Sequence, residues 1–221
     1  DLPELTPIAL ADAEDIAVGD VVLAIGNPYG FGHSVSQGIV SGVGRFGLRL
    51  STYEGYIQTD ATIHLGSSGG ALIDHQGRLV GINTLIYTAG TERNGETPGI
   101  GINLATPSEV AAAALDDIVK YGHVIRGWLG VSVEVLLSEQ QTGGPVQQLI
   151  VTDLAPGGPA QRAGIQLNDI IVAMDGEPVV DGRAAMLQIA QLRPGHLLRV
   201  NLDREGVPIE LEAVVGTRSN S

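Results

Sequence analysis

Up to residue 105 the hydrophobic positions fall in short runs broken by glycine, serine, asparagine and proline, a pattern of brief strands joined by tight turns. Residues 20–25, Asp-Val-Val-Leu-Ala-Ile, predict a buried strand, and the Gly26-Asn27-Pro28-Tyr29-Gly30 stretch behind it is dense in turn formers. Residues 35–43, 56–59, 70–73, 79–86 and 99–105 supply five more β-prone segments. Six strands at this spacing predict a compact antiparallel barrel. The period then changes. Thr106 is placed to cap a helix, with Pro107 at its first position and Glu109 reaching back to complete a capping box. That helix is expected to run to about Tyr121, burying Val110, Ala113, Ala114, Ile118 and Val119 and turning Asp116, Asp117 and Lys120 to water. Gly122 is a natural stop, and the domain boundary is expected beside it.

Beyond residue 122 strands are expected near 129–133, 148–154, 169–174, 197–203 and 207–214, with helices near 159–163 and 182–192, the makings of a small α+β domain. The organisation expected is therefore a barrel with a terminal helix over 1–122, an α+β domain over 123–217 and a frayed tail over 218–221. Composition agrees with a mostly β chain: 31 glycines and only 4% aromatics among 221 residues favour turn-rich sheet over helical bundles.

The formal charge of −13, with acids outnumbering bases in both halves, excludes a nucleic-acid partner, because phosphate binding draws on clustered Lys and Arg. There is no cysteine, so disulfides and thiolate metal sites are excluded. No two of the five histidines, His33, His64, His75, His123 and His196, have zinc-site spacing, and neither a metal nor another cofactor is expected. No apolar run approaches the length of a membrane span. The opening Asp1-Leu2-Pro3 has the look of an internal segment, with any anchor or export signal upstream.

The strongest chemical signal is Gly66-Ser67-Ser68-Gly69-Gly70, preceded by Gln58-Thr59-Asp60-Ala61. A serine that attacks a carbonyl needs its hydroxyl on a tight turn, with backbone N–H groups converging where the oxyanion forms. Glycines on either side permit that backbone and leave room for substrate. Ser68 is the candidate nucleophile, with the amides of Gly66 and Ser68 as the candidate oxyanion donors. Taken alone, the same cluster also describes a flexible turn.

Its setting resembles the second barrel of the HtrA/Deg serine proteases, whose fold is chymotrypsin-like. The resemblance rests on Leu23-Ala24-Ile25-Gly26-Asn27-Pro28-Tyr29-Gly30, Gly38-Ile39-Val40-Ser41, Ile57-Gln58-Thr59-Asp60-Ala61, the Ser68 motif and Gly81-Ile82-Asn83-Thr84, in family order and spacing. Ile125-Arg126-Gly127-Trp128-Leu129-Gly130-Val131 resembles the carboxylate-binding loop and adjoining strand of bacterial PDZ domains, and Gly158-Pro159-Ala160-Gln161-Arg162-Ala163-Gly164-Ile165 their short helix. The resemblance, closest to the single-PDZ, DegS-like type, implies a serine endopeptidase of bacterial envelope quality control or stress signalling. It implies a periplasmic location, an inner-membrane tether through an upstream segment, and a homotrimer in full-length form. Protein substrates and the C-terminal peptides of misfolded envelope proteins are the implied partners.

By the same resemblance, Trp128, Leu129, Gly130, Val131, Met186 and Ala190 form a peptide groove, although the two helix residues also fit ordinary core packing. Asn103 and Leu104 lie beside the primary specificity pocket; Asn103 stands where relatives have glycine, and either narrows the substrate path or occupies a tolerated edge position. Arg45 belongs to a loop that reports peptide occupancy to the oxyanion hole. Ser67 and His64-Leu65 depart from the family's usual Asn and Asn-Pro without removing a backbone donor. In the family the catalytic His and Asp precede the region represented by this chain, and His64 is not where that base is drawn from, so these residues alone are expected to be inactive. The competing expectations are a non-catalytic PDZ sensor or scaffold with a vestigial Ser68, and a truncated product that keeps a folded core. A barrel without its partner is further expected to expose an apolar face.

Overall fold

The computed structural model describes residues 5–48, 50, 54–88, 99–140, 144–179 and 181–217. Two compact units are present: the first takes the described residues up to Val124 except Leu50 and Glu54, which group with the residues from Ile125 onward in the second. The expected tail, 218–221, and the opening Asp1-Leu2-Pro3 lie outside the described residues.

In the first unit six strands, β1 (Val21–Gly26), β2 (Ser34–Arg45), β3 (Tyr56–Thr59), β4 (Ala71–Asp74), β5 (Leu79–Thr88) and β6 (Gly99–Pro107), close into a barrel in the order β1-β2-β3-β6-β5-β4. Every pairing around the barrel is antiparallel. Alternating side chains, among them Val22, Ala24, Val40, Ile57, Leu72, Val80 and Ala105, fill its interior. The β2–β3 corner is tied by polar side chains: Thr59 Oγ1 donates to the Ile39 carbonyl at 2.7 Å and the Ile39 amide donates to Asp60 at 2.7 Å.

Helix α1 (Ser108–Tyr121) follows and ends on Gly122 in the left-handed conformation, φ 77°. Its start differs from the expected capping box. Thr106 remains in β6, paired with Ile82, and its hydroxyl bonds that of Thr84 at 2.8 Å, so it does not cap the helix; Pro107 stands at the N-cap. The buried face also differs. Ser108 and Asp117 are the buried helix residues, while Ile118 and Val119 are 50% and 76% exposed. The helix is rotated from the orientation its apolar spacing suggests, and Leu115 joins that exposed stripe.

The second unit comprises β7 (Gly127–Trp128), β8 (Val131–Gln140), β9 (Gly144–Leu154), α2 (Pro159–Ala163), β10 (Ile170–Met174), β11 (Glu177–Pro178), α3 (Gly182–Gln191), β12 (Leu197–Arg204), β13 (Val207–Val214) and β14 (Gly216–Thr217). Its main sheet runs β13-β12-β10-β9-β8 with β11 beside β10, and β14 pairs with β7. β8 is therefore an edge strand. Leu129, Leu149, Val151, Met174, Ile189, Leu198, Val200 and Leu202 make a continuous core. Asp181 caps α3 by accepting the amides of Arg183 and Ala184.

One buried ion pair holds the loop ahead of β10. Asp169, fully buried, accepts Arg204 Nε at 2.7 Å and Nη2 at 2.8 Å through its two oxygens, and also the Gln166 amide at 2.8 Å. Burial opposes its ionisation, but the Arg204 and Gln166 hydrogen bonds prevail and hold the carboxyl below 3.8. Asp74 behaves alike: burial works against the charge, while bonds from Arg78 and the Gln76 amide lower its pKa. Folded values below the unfolded one mean that this stabilisation is present above the unfolded pKa and is lost as pH falls through the folded value. Asp169→Asn is therefore expected to destabilise the second unit by on the order of 3 kcal/mol in urea denaturation near neutral pH, and to flatten the fall in stability below about pH 4.

Candidate active site and peptide groove

The turn that carries Ser68 is built by two close backbone approaches. Gly70 lies so near β1 that a Cβ there would meet the Ile25 carbonyl oxygen at 2.0 Å. Gly66 adopts φ +91° and sits against the backbone of Asn27, Pro28 and Tyr29, with the Tyr29 amide donating to the Leu65 carbonyl at 3.1 Å. The Asn27-Pro28-Tyr29-Gly30 loop thus clasps the turn, and only glycine satisfies both approaches.

From the other side β5 secures the same turn. The Gly69 amide donates to the Asn83 carbonyl and the Asn83 amide to the Gly70 carbonyl, both at 2.8 Å. The Asn83 side chain, 1% exposed, donates from Nδ2 to the Ile25 carbonyl at 2.9 Å and to that of Ala71 at 3.3 Å. An amide side chain buried in a strand, Asn83 between Ile82 and Thr84, is the signal in the sequence that marks it as a positioning residue.

Ser67 is buried and Ser68 exposed on the resulting turn. The Ser68 hydroxyl donates to the Thr84 carbonyl at 3.1 Å. The amides of Ser67, Gly69 and Gly70 are engaged by the carbonyls of His64, Asn83 and Ser67, whereas among the described residues those of Gly66 and Ser68 donate to no acceptor. Two uncommitted amides beside an exposed hydroxyl are the donor arrangement that a tetrahedral oxyanion requires. No histidine hydrogen-bonds Ser68 among the described residues. His64 is exposed, its ring 6.4 Å from that of Tyr29, which in turn lies 5.8 Å from Phe31. His33, His75, His123 and His196 are exposed too, His196 resting 3.2 Å from Asp175. Among the described residues no group of three or more His, Asp or Glu is placed to hold a metal ion.

Asn103 and Leu104 lie on β6, where Asn103 pairs with Thr59 and Ile86. Both are buried, Leu104 completely, so its side chain packs rather than faces a substrate. Arg45, at the end of β2, folds back over Gly42 and donates from Nε to Gln58 Oε1 at 2.8 Å. An apolar rim surrounds the site: Tyr29, Phe31, Val35 and Leu65 are 61%, 88%, 62% and 69% exposed.

In the second unit a groove of about 420 Å³ runs between β8 and α3. Trp128, Leu129, Gly130 and Val131 line one side, and Met186, 44% exposed, lines the other. Ala190 does not line it. That residue is turned into the core at 2% exposure, and the helical period presents Ala185, Met186 and Ile189 instead. The amides of Leu129 and Gly130 donate to no acceptor among the described residues, while the carbonyls beside them are taken by the amides of Ala160 and Ala155.

The two units match separate family models, a trypsin-like peptidase domain over residues 1–82 and a PDZ domain over 127–215. The chain is 40% identical over 201 residues to the serine endoprotease DegS of Escherichia coli K12, an alignment covering 90% of the chain and 56% of that protein. It is 36% identical over 221 residues to the periplasmic pH-dependent serine endoprotease DegQ of the same strain, over 99% of the chain and 47% of that protein. The chain thus spans about half the length of these curated relatives. Among solved structures it superposes on the HtrA-type protease AlgW with a tripeptide at TM-score 0.81 and 40% identity, covering 100% of this chain and 72% of that one. AlgW with a decapeptide gives 0.77 and 41%, covering 100% and 67%. Gly70→Ala is expected to destabilise the first unit by about 1–3 kcal/mol while leaving amide-exchange protection in the second unit unchanged. With a trypsin-like barrel carrying the Ser68 turn, a PDZ groove after it and these relatives along its whole length, the chain belongs to the HtrA family of serine endoproteases.

Proposed function

We propose that Ser68 is the nucleophile of a serine endopeptidase, acting with the amides of Gly66 and Ser68 as its oxyanion hole. The observation that carries this reading is the exposed hydroxyl beside two amides without acceptors. In acyl transfer the Ser68 oxygen attacks the scissile carbonyl, a base removes its proton, and the carbonyl oxygen takes up negative charge opposite those amides. The base and the carboxylate that orients it come from polypeptide upstream, as in the family pattern, because an unassisted serine hydroxyl is a poor nucleophile at neutral pH. Residues 1–122 act as the barrel with its helix and 123–217 as the PDZ domain. Asn103 borders the substrate path through its position on β6, and Leu104 contributes from beneath it.

The groove between β8 and α3 receives the C-terminus of a misfolded envelope protein. Its carboxylate lies against the Leu129 and Gly130 amides, and the peptide adds as a strand to the free edge of β8. Arg45, anchored on Gln58, carries occupancy of that groove to the Ser68 turn. The setting is the periplasm, in which the relative DegQ is described, with a tether to the inner membrane and a homotrimeric assembly in the full-length protein. The apolar rim of Tyr29, Phe31, Val35 and Leu65 suits burial by such neighbouring polypeptide.

A fluorophosphonate probe should label the natural full-length protein at Ser68 and label its Ser68→Ala variant not at all. The 221-residue chain alone should react slower by on the order of 10⁴-fold or more. Equal rates for the chain and the full-length protein would show that no upstream base is used; no labelling of either would favour a peptide-binding scaffold with a vestigial serine. Addition of a peptide with an apolar C-terminus should accelerate labelling of the full-length protein, and Arg45→Ala should blunt that acceleration while leaving the labelling itself detectable.

A further inference from the structure

Alternation along β8 separates two faces. Val131 and Val133 pack toward the core of the second unit, whereas Ser132 and Glu134 are exposed on the opposite face. On the neighbouring strand Asp153 pairs with Ser132 and is exposed as well. Paired residues share a face, so Ser132, Asp153 and Glu134 form one outward patch along the free edge of the sheet. Neither carboxylate has an ion-pair or hydrogen-bond partner among the described residues. Among the described residues that line the groove, Asp153 is the one ionisable side chain, and none is Lys, Arg or His.

A peptide lying antiparallel on β8, with its carboxylate at the Leu129 and Gly130 amides, places its last residue opposite Val131. The second from the end then faces Ser132, the third Val133 and the fourth Glu134. Side chains of the last and third residues enter the groove beside Met186 and Ile189; those of the second and fourth project over the acidic patch. Ser132 is short. A long side chain opposite it crosses above the hydroxyl toward Asp153, about 10 Å away at two strand spacings. A lysine or arginine has that reach, and an acidic residue would meet repulsion. We propose, on the reading of this groove as a C-terminal peptide site, that it selects ligands in which basic residues alternate with apolar ones: apolar at the last and third positions from the end, Lys or Arg at the second and fourth.

Fluorescence anisotropy with the 221-residue chain tests this with four labelled decapeptides that all have leucine at the last and third positions. One has lysine at the second and fourth positions from the end, one has the same lysines moved to the seventh and ninth, one has glutamate at the second and fourth, and one is the C-terminal amide of the first. The first peptide should bind about tenfold tighter than the permuted one at low ionic strength, and the glutamate peptide weaker still, with both gaps narrowing as salt rises. Asp153→Asn/Glu134→Gln, a surface double variant, should bring the first and permuted peptides to within about twofold of each other. Equal binding of those two by the unmodified chain, with the amide weak, overturns the charge selection and leaves the groove assignment standing. A difference that survives in the double variant also overturns it, since the attraction would then come from elsewhere on the acidic protein. If the amide binds as well as the free carboxylate, the groove assignment falls, and the proposal with it.

Discussion

The half of this chain that carries Ser68 depends on one spatial constraint: β1 with the loop that follows it, and strand β5 from much further along the chain, must both close on residues 66–70. β1 arrives with the Ile25 carbonyl, β5 with the Asn83 backbone and side chain, and the Asn27–Gly30 loop with its backbone edge. Gly70 lies too close to β1, and Gly66 too close to the loop, to carry a Cβ. The consequence is a turn whose inner amides are consumed by structure and whose Gly66 and Ser68 amides are not. An enzyme that stabilises a transient oxyanion gains most from donors fixed in advance, and closure of the barrel supplies that fixation.

The second unit meets a different requirement. Its β8 strand ends the sheet, and an open edge is an aggregation hazard. α3 covers the core side of that edge while leaving a groove, and the outward side carries Ser132, Glu134 and Asp153 beside a half-exposed Leu136. The same charges that keep the edge soluble are the ones on which the proposed ligand preference rests. The buried Asp169–Arg204 pair fixes the turn into β10 beneath this sheet, so that the groove is framed by a unit with a well-packed core.

The barrel strands were legible because each is bounded by residues that cannot continue it, and alternation along β1 and β4 has one clear solution. The long hairpin of β8 and β9 was foreseen only at its base, since no apolar alternation marks its outer part. The buried face of α1 differs from the one its spacing predicts for a physical reason. Apolar spacing reports which residues could be buried, but Ser108 and Asp117 are inside and Ile118 and Val119 outside, an outcome set by what the helix meets rather than by its own periodicity. Thr106 likewise suits a cap in the linear chain, but a partner hydroxyl on β5 holds it in the sheet. Ala190 and Met186 are four residues apart, yet only Met186 reaches the groove, because the position of the helix over the sheet decides which edge of its apolar face is presented.

By itself the sequence determined the strand and turn punctuation, the Gly-Ser-Ser-Gly-Gly motif, the two-domain organisation and the family, because these follow from local backbone preferences and residue order. Tertiary structure alone decided which amides around Ser68 are left without acceptors, that Asn83 ties the turn to β1, that Arg45 rests on Gln58, and that Asp153 and Glu134 share one face. Those facts belong to the closure of a barrel and the pairing of strands, in which each residue's neighbours are chosen by the whole fold and not by its place in the chain.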